Sequence, residues 1–148
     1  MTDDPINDII AALNTFEAGR ADTDNLYRLY QIFDGFSSLP DRYRAAPAMF
    51  ALLERFPDAE FGLPGPLVHE LEAIPDYLPL LRDSLRRQPT SYTAWMVNRL
   101  LNTKLPREQR ESWLSELQAA LEHPLASEQT RRAAERYLTY QKGNAHES

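Results

Sequence analysis

The amino-acid sequence predicts an all-α protein made of about eight short helices. Apolar residues recur at intervals of three and four along most of the chain, which places them on one face of a helix. Eleven prolines and five glycines separate these stretches, and both residue types mark helix ends. No stretch shows the sustained alternation of apolar and polar residues that is typical of a strand.

Start and stop signals place four helices in the first half of the chain. Asp4 can cap a first helix that has Pro5 at its first position, and Gly19 is its predicted end. Thr23 or Asp24 begins the second helix. The predicted apolar faces of the four helices are Ile6, Ile9, Ile10, Leu13 and Phe16; Leu26, Leu29, Tyr30 and Phe33; Met49, Phe50, Leu53 and Phe56; and Leu67, Val68, Leu71 and Ile74.

The same signals predict four helices in the second half. Pro75 and Asp76 precede the fifth helix, Thr90 the sixth, Pro106 the seventh and Ser127 the eighth. The predicted apolar faces are Leu78, Leu81 and Leu85; Tyr92, Trp95, Met96 and Leu100; Trp113, Leu114, Leu117 and Leu121; and Ala134, Tyr137 and Leu138. We expect both tryptophans to be largely buried.

Short helices joined by tight turns predict an irregular stack of antiparallel helices, similar to an α-solenoid of the HEAT or TPR kind. No fixed repeat length aligns along the chain. The predicted organisation is a single helical domain over residues 1–142, followed by a flexible tail over residues 143–148.

Composition excludes several classes of function. The chain has 148 residues, enough for one domain with a core, and a formal net charge of −6, which disfavours general nucleic-acid binding. It has no cysteine, so disulfides and thiolate chemistry are excluded. No apolar run approaches the roughly 18 residues that span a bilayer. The acidic N-terminus does not resemble a signal peptide. We therefore expect a cytoplasmic protein without membrane contact.

The sequence contains no recognisable catalytic or metal-binding motif. There is no glycine-rich phosphate loop and no nucleophile elbow. His69 and Glu72 are three residues apart and share a helix face, but a closed zinc site needs four ligands. A half-buried His69 paired with Glu72 is the simpler interpretation. We expect no enzymatic activity, no cofactor and no metal.

Charge is unevenly distributed: besides the acidic residues 1–24, residues 54–76 form an acidic segment and residues 82–110 a basic segment. The acidic segment has six acidic residues and one arginine, and the basic segment has seven basic and two acidic residues. Both can simply be solvated faces. The sharper hypothesis is that the acidic segment attracts a basic partner, with the basic segment as the second choice. The candidate partner-binding residues are Asp58, Glu60, Glu70 and Asp76, whereas Glu72 is assigned to the fold.

A rigid corner lies within the acidic segment. Pro64, Gly65 and Pro66 interrupt the helical pattern directly before the apolar start of the fourth helix. We expect an ordered corner at residues 62–66 that positions the carboxylates around it. If Gly65 has a positive φ, replacing it with alanine should destabilise the protein.

Three stretches, of which the first contains this corner and the other two follow it, resemble a family of small bacterial immunity proteins, which neutralise the toxins of polymorphic-toxin and contact-dependent growth-inhibition systems. The resemblance covers roughly residues 60–102, under a third of the chain. The residues that carry it are Gly62–Glu72, then Tyr77, Leu81 and Ser84–Thr90, and finally Thr93–Asn102.

The resemblance implies a cytosolic, non-enzymatic inhibitor that binds one cognate toxin domain. Many such toxins are basic nucleases, which the acidic excess would suit. No contact residue is carried over, because these families diversify at their binding surfaces. The alternative is a helical-repeat adaptor that binds a cellular protein unrelated to toxins. A small hydrolase would need a convergent polar pocket that the sequence does not display.

Overall fold

The computed structural model describes residues 4–18, 22–62 and 65–144. These residues form eight α-helices and two short 3₁₀ helices and contain no strand, so the all-α prediction is confirmed. The α-helices are α1 (Pro5–Asn14), α2 (Asp22–Ile32), α3 (Ala46–Arg55), α4 (Gly65–Glu72), α5 (Leu78–Arg87), α6 (Ser91–Leu101), α7 (Arg107–Leu121) and α8 (Glu128–Asn144). The 3₁₀ helices are Phe36–Ser38 and Arg42–Ala45.

Side-chain caps begin three of the helices at positions that the sequence predicts. The Asp4 carboxylate accepts hydrogen bonds from the first turn of α1, at 3.0 Å from the Ile6 amide nitrogen. Before α6, the Thr93 amide donates to the Thr90 hydroxyl, and the Thr90 amide donates to the Thr93 hydroxyl. The Ser127 hydroxyl caps α8. Capping therefore sets these boundaries locally.

The ends of α1 and α8 differ from the sequence prediction. α1 ends at Asn14, and its predicted end, Gly19, lies outside the described residues. The guanidinium of Arg55 donates to the carbonyls of Leu13 and Phe16, at 2.9 and 3.2 Å, and so satisfies the end of α1. α8 continues through Gly143, where the sequence placed the start of the tail, and residues 145–148 are not described.

The chain divides into two compact units, Met1–Leu80 and Leu81–Ser148. A single domain over residues 1–142 stays a prediction. In the first unit, α1 packs against α2 and α3, and α4 packs against α2 and α3. Edge-to-face ring contacts join Phe16 to Phe61 and Phe33 to Phe36. The core of this unit includes Leu13, Leu29, Phe36, Met49, Phe50, Leu53, Phe61, Leu67 and Leu71.

In the second unit, α6, α7 and α8 pack against one another. A polar network fastens the end of α8: the buried Gln141 donates its amide to the side-chain oxygens of Asn98 and Asn102, both at 2.8 Å. Arg110 donates to the Gln141 side chain and to the Leu101 carbonyl. The apolar core includes Leu81, Leu85, Met96, Val97, Trp113, Leu117, Ala134 and Leu138.

Among the aromatic residues that the sequence assigned to the core, Tyr30 is exposed, and Phe56, Trp95 and Tyr137 are half-buried. Tyr30 is 61% exposed, because the buried stripe of α2 runs through Asn25, Leu29 and Phe33 at intervals of four. Trp95 is partly exposed, and the guanidinium carbon of Arg99 lies 4.9 Å from the centre of its ring. The prediction for Tyr30 was wrong, and those for the other three hold only in part, because helical spacing alone does not fix the edge of a buried face.

The Asp4 carboxylate joins α1 to the second 3₁₀ helix. It lies 2.9 Å from Nη1 of Arg44, whose Nη2 donates to the Asn7 side chain. The hydrogen bond from Arg44 is the main reason that the pKa of Asp4 lies below its usual value of 3.8. A depressed pKa means that folding favours the carboxylate, so this contribution to stability is present above pH 3.8 and is lost as the pH falls through the folded-state pKa.

Removing Arg44 is therefore expected to raise the pKa of Asp4 towards its usual value. Carbon-detected NMR titration of the Asp4 carboxyl in Arg44→Met measures this. Arg132→Met, which removes an exposed ion pair with Glu128 on α8, is the control and should leave Asp4 unchanged. An unchanged Asp4 titration in Arg44→Met would show that the first turn of α1 alone depresses the pKa.

Candidate partner-binding surface

The four predicted partner-binding residues all belong to the first unit. Asp58 and Glu60 lie between α3 and α4 and are exposed. Glu70 lies on α4 and is half-buried, and Asp76 is exposed in the turn between α4 and α5. Their side chains therefore reach the surface to different extents, from three successive pieces of the chain.

The backbone before the corner is held by buried groups. Phe61 is buried against Phe16, with ring centres 6.3 Å apart. The buried side chain of Asn25 donates to the Glu60 carbonyl at 3.3 Å, and its own oxygen accepts from Arg28 at 3.1 Å. Asn25 occupies a core position of α2 because its amide satisfies a loop carbonyl. The Glu60 carboxylate is thus exposed on a fixed backbone.

The corner requires glycine at two described positions. Gly62 has a φ of +86° and Gly65 a φ of +47°. A Cβ atom on Gly62 would lie 2.8 Å from the Gly65 Cα atom and 2.8 Å from a Leu26 methyl. The two glycines therefore allow a close backbone approach at the start of α4. The corner prediction also involved Pro64, which lies outside the described residues.

A groove of about 480 Å³ lies between the end of α2 and the start of α4. We call it the Tyr30 groove, and its lining residues are Tyr30, Phe33, Asp34, Gly35, Gly65, Pro66, His69 and Glu70. His69 is exposed here, so the expectation that it is half-buried was wrong. Within the part of the chain that the structure describes, the carboxylates of Asp34 and Glu70 have no hydrogen bond or ion pair with another side chain.

A second groove, of about 420 Å³, contains Asp76. We call it the Tyr43 groove, and it is lined by Pro40, Arg42, Tyr43, Ile74, Pro75, Asp76 and Leu80. Tyr43 is 60% exposed. Asp76 has a φ of +59°, the left-handed conformation that aspartate tolerates better than most residues. This turn presents its carboxylate beside an apolar wall.

The two grooves differ in charge. The Tyr30 groove is lined by two acidic residues and by no lysine or arginine, whereas the Tyr43 groove pairs Asp76 with Arg42. Asp58 and Glu60 line neither of these two grooves. The structure thus associates Glu70 and Asp76 with concave surfaces and adds residues that the sequence hypothesis missed: Tyr30, Asp34 and Tyr43.

Much of the basic segment is committed to contacts within the second unit. Arg86 bonds the buried Glu116 through Nε, at 3.1 Å from each carboxylate oxygen, and this hydrogen bond raises the pKa of Arg86. The Arg82 guanidinium lies 4.5 Å from the centre of the Trp113 ring and 3.6 Å from Glu116. Arg110 binds carbonyls of Leu101 and Gln141. These three arginines are held by contacts within the second unit and are less available to a partner. The basic segment is therefore a weaker candidate for the partner-binding surface.

His123 lies away from the grooves, and its ring is used by the fold. His123 accepts the Leu125 amide hydrogen at Nδ1, so its proton lies on Nε2 and is donated to the Arg86 carbonyl at 2.7 Å. This neutral ring connects backbone groups. Among the residues that can be described, no three acidic, histidine or cysteine side chains are grouped to hold a metal ion. No helix there has both the length and the apolar character needed to cross a bilayer.

The described residues define an all-α protein whose first unit contains the Tyr30 groove and the Tyr43 groove. Comparisons with protein-family models, curated proteins and solved structures gave no match to the chain.

Proposed function

We propose that this protein is an immunity protein that binds and neutralises a cognate bacterial toxin domain in the cytoplasm of the producing cell. One observation carries the proposal: Glu70 and Asp76 each line a groove beside an exposed tyrosine. Tyrosines anchor protein interfaces because they bring a large, rigid surface with one polar end. Carboxylates beside them favour a basic partner and speed its docking.

The sequence resemblance and the grooves both support this position for the proposed interface. The resemblance to immunity proteins covers roughly residues 60–102, which include α4 and the Asp76 turn. Asp58 and Glu60 extend the negative surface beyond the grooves as exposed carboxylates. In this proposal the protein acts by occlusion, without catalysis or a cofactor, and its partner is a basic domain such as a nuclease.

The proposed scaffold is a stack of antiparallel helix pairs of the α-solenoid kind. In the first unit, α1 contacts α3 and α2 contacts α4, while α1 with α2 and α3 with α4 are also neighbours. Contacts between helices two apart in the chain are typical of stacked helix pairs. This connectivity supports the proposed arrangement for that unit.

Binding to the toxin domain encoded by the neighbouring gene tests the function. Stopped-flow association is measured across a salt series for the wild type and for Asp58→Lys/Glu60→Lys and Glu70→Lys/Asp76→Lys. We expect each double variant to associate at least about tenfold more slowly and to lose much of its salt dependence, because long-range attraction sets the association rate. Glu122→Lys/Glu135→Lys makes the same change of charge at two exposed residues of the second unit and should have a smaller effect.

The outcomes separate the hypotheses. Failure of the wild-type protein to bind any neighbouring toxin domain would contradict the immunity function and favour a helical-repeat adaptor. Tight binding with unchanged association rates in both folded double variants would instead remove the acidic segment from the interface. The basic segment would then be the leading candidate, and the partner would be acidic.

A further inference from the structure

The Tyr30 groove has the chemistry of a cation site without a cation from this chain. Its lining contains an exposed ring, two carboxylates and the exposed His69, and neither lysine nor arginine. Asp34 and Glu70 have no side-chain partner within the described ranges. A concave surface lowers the local dielectric and concentrates the field of such carboxylates, so a positive group from outside is the complementary occupant.

Two arginines of this chain each lie against both an aromatic ring and a carboxylate. Arg28 lies 4.3 Å from the centre of the Phe16 ring and 3.1 Å from Asp24. Arg82 lies over Trp113 and beside Glu116, as described above. In both cases the ring face attracts the cation and the carboxylate forms an ion pair with it. The Tyr30 groove has the ring and the carboxylates but lacks the arginine.

We propose that the Tyr30 groove receives an arginine side chain from the surface of the toxin domain. The guanidinium stacks on Tyr30 and forms ion pairs with Asp34 and Glu70. Arginine fits better than lysine because its planar fork donates to two carboxylates while its face lies on a ring. The groove volume of about 480 Å³ is in the range that encloses small ligands, so it admits a long side chain. This inference rests on the proposed function for its partner.

Binding of the purified toxin domain tests the ring and the charges separately. Tyr30→Ala, Asp34→Asn and Glu70→Gln are each expected to weaken binding about tenfold or more, mainly through faster dissociation. Tyr30→Phe keeps the ring face and should bind within about threefold of the wild type. The matched control is Tyr27→Ala, which removes a similarly exposed tyrosine (64%) one turn earlier on α2 and outside the groove lining. Circular dichroism confirms that each variant is folded.

A second measurement needs no toxin. NMR titration with N-acetyl-arginine amide is expected to shift the signals of Tyr30, Asp34 and Glu70 with an affinity on the order of millimolar, which is typical of so small a ligand. The citrulline amide has the same shape without the charge and should cause no saturable shift. The lysine amide should bind more weakly.

These outcomes test the proposed arginine site and the proposed immunity function separately. Shifts at the groove with arginine amide, in a protein that binds no toxin domain, would support the arginine site and contradict the immunity function. Toxin binding that is unchanged in Tyr30→Ala and Glu70→Gln would overturn the arginine site while leaving the function standing. Equal binding of citrulline or lysine amide would overturn the assignment of arginine.

Discussion

Trp113→Ala is expected to destabilise the protein by about 3–5 kcal/mol, the usual cost of removing a buried tryptophan. Trp113 is 4% exposed on α7 and belongs to the core of the second unit. Its ring also carries the Arg82 guanidinium, which would lose this contact while remaining beside Glu116. The lost stability therefore has two causes: a cavity in the core and a weakened polar cluster of Arg82 and Glu116.

Trp95→Ala is the matched control because it deletes the same side chain from a partly exposed position. We expect a cost of about 1–2 kcal/mol, since less apolar surface is buried there. Urea unfolding followed by far-ultraviolet circular dichroism is the suitable measurement, because both variants change the tryptophan fluorescence. Equal costs for the two variants, or a larger cost at Trp95, would contradict the difference in burial between Trp95 on α6 and Trp113 on α7.

Gly62→Ala should cost about 2–5 kcal/mol for two separate reasons. A non-glycine residue at a φ of +86° carries roughly 1–2 kcal/mol of strain. The new Cβ atom would also lie 2.8 Å from the Gly65 Cα atom, and overpacking against backbone adds about 1–3 kcal/mol because the backbone cannot move aside cheaply. Since Gly65 lines the Tyr30 groove, we expect the substitution to weaken toxin binding as well.

Alanine variants of two other glycines measure the cost of backbone strain without a steric clash. Gly35 has a φ of +76° with open space around a Cβ atom, and Gly65 has a φ of +47° with only a Leu26 methyl at 3.9 Å. Their alanine variants should each cost about 1–2 kcal/mol, from strain alone. Thermal and urea unfolding of the three variants give the comparison. If Gly62→Ala were as stable as Gly35→Ala, the backbone at Gly65 would move aside for the new Cβ atom at little cost in free energy.

Much of the helical core could be predicted because apolar spacing is a local property. Leu13, Leu53, Leu71, Leu81 and Leu117 were all assigned to buried faces and are buried. The caps at Asp4, Thr90 and Ser127 were predicted for the same reason, since each side chain bonds an amide two or three residues away. The predicted core positions that are not fully buried, such as Tyr30 and Trp95, lie at the edges of helix faces.

The candidate site could be predicted only in part. Charge along the chain was enough to select Glu70 and Asp76, and both line grooves. Asp34 was overlooked because nothing in its own stretch connects it with α4. It belongs to the site only because α2 packs against α4 and brings residues some 36 positions apart to one surface.

By itself, the sequence determined that this protein is helical, where most helices begin, and which segments carry an excess of one charge. Each of these depends on neighbours within about one helical turn. Only the tertiary structure decided where α1 ends, because Arg55 reaches its carbonyls from α3, and which arginines are paired, because Glu116 lies thirty residues from Arg86. It also decided that Tyr30 is exposed in a groove. Exposure and pairing depend on which surfaces meet, and local spacing contains no information about the surface on the other side of a contact.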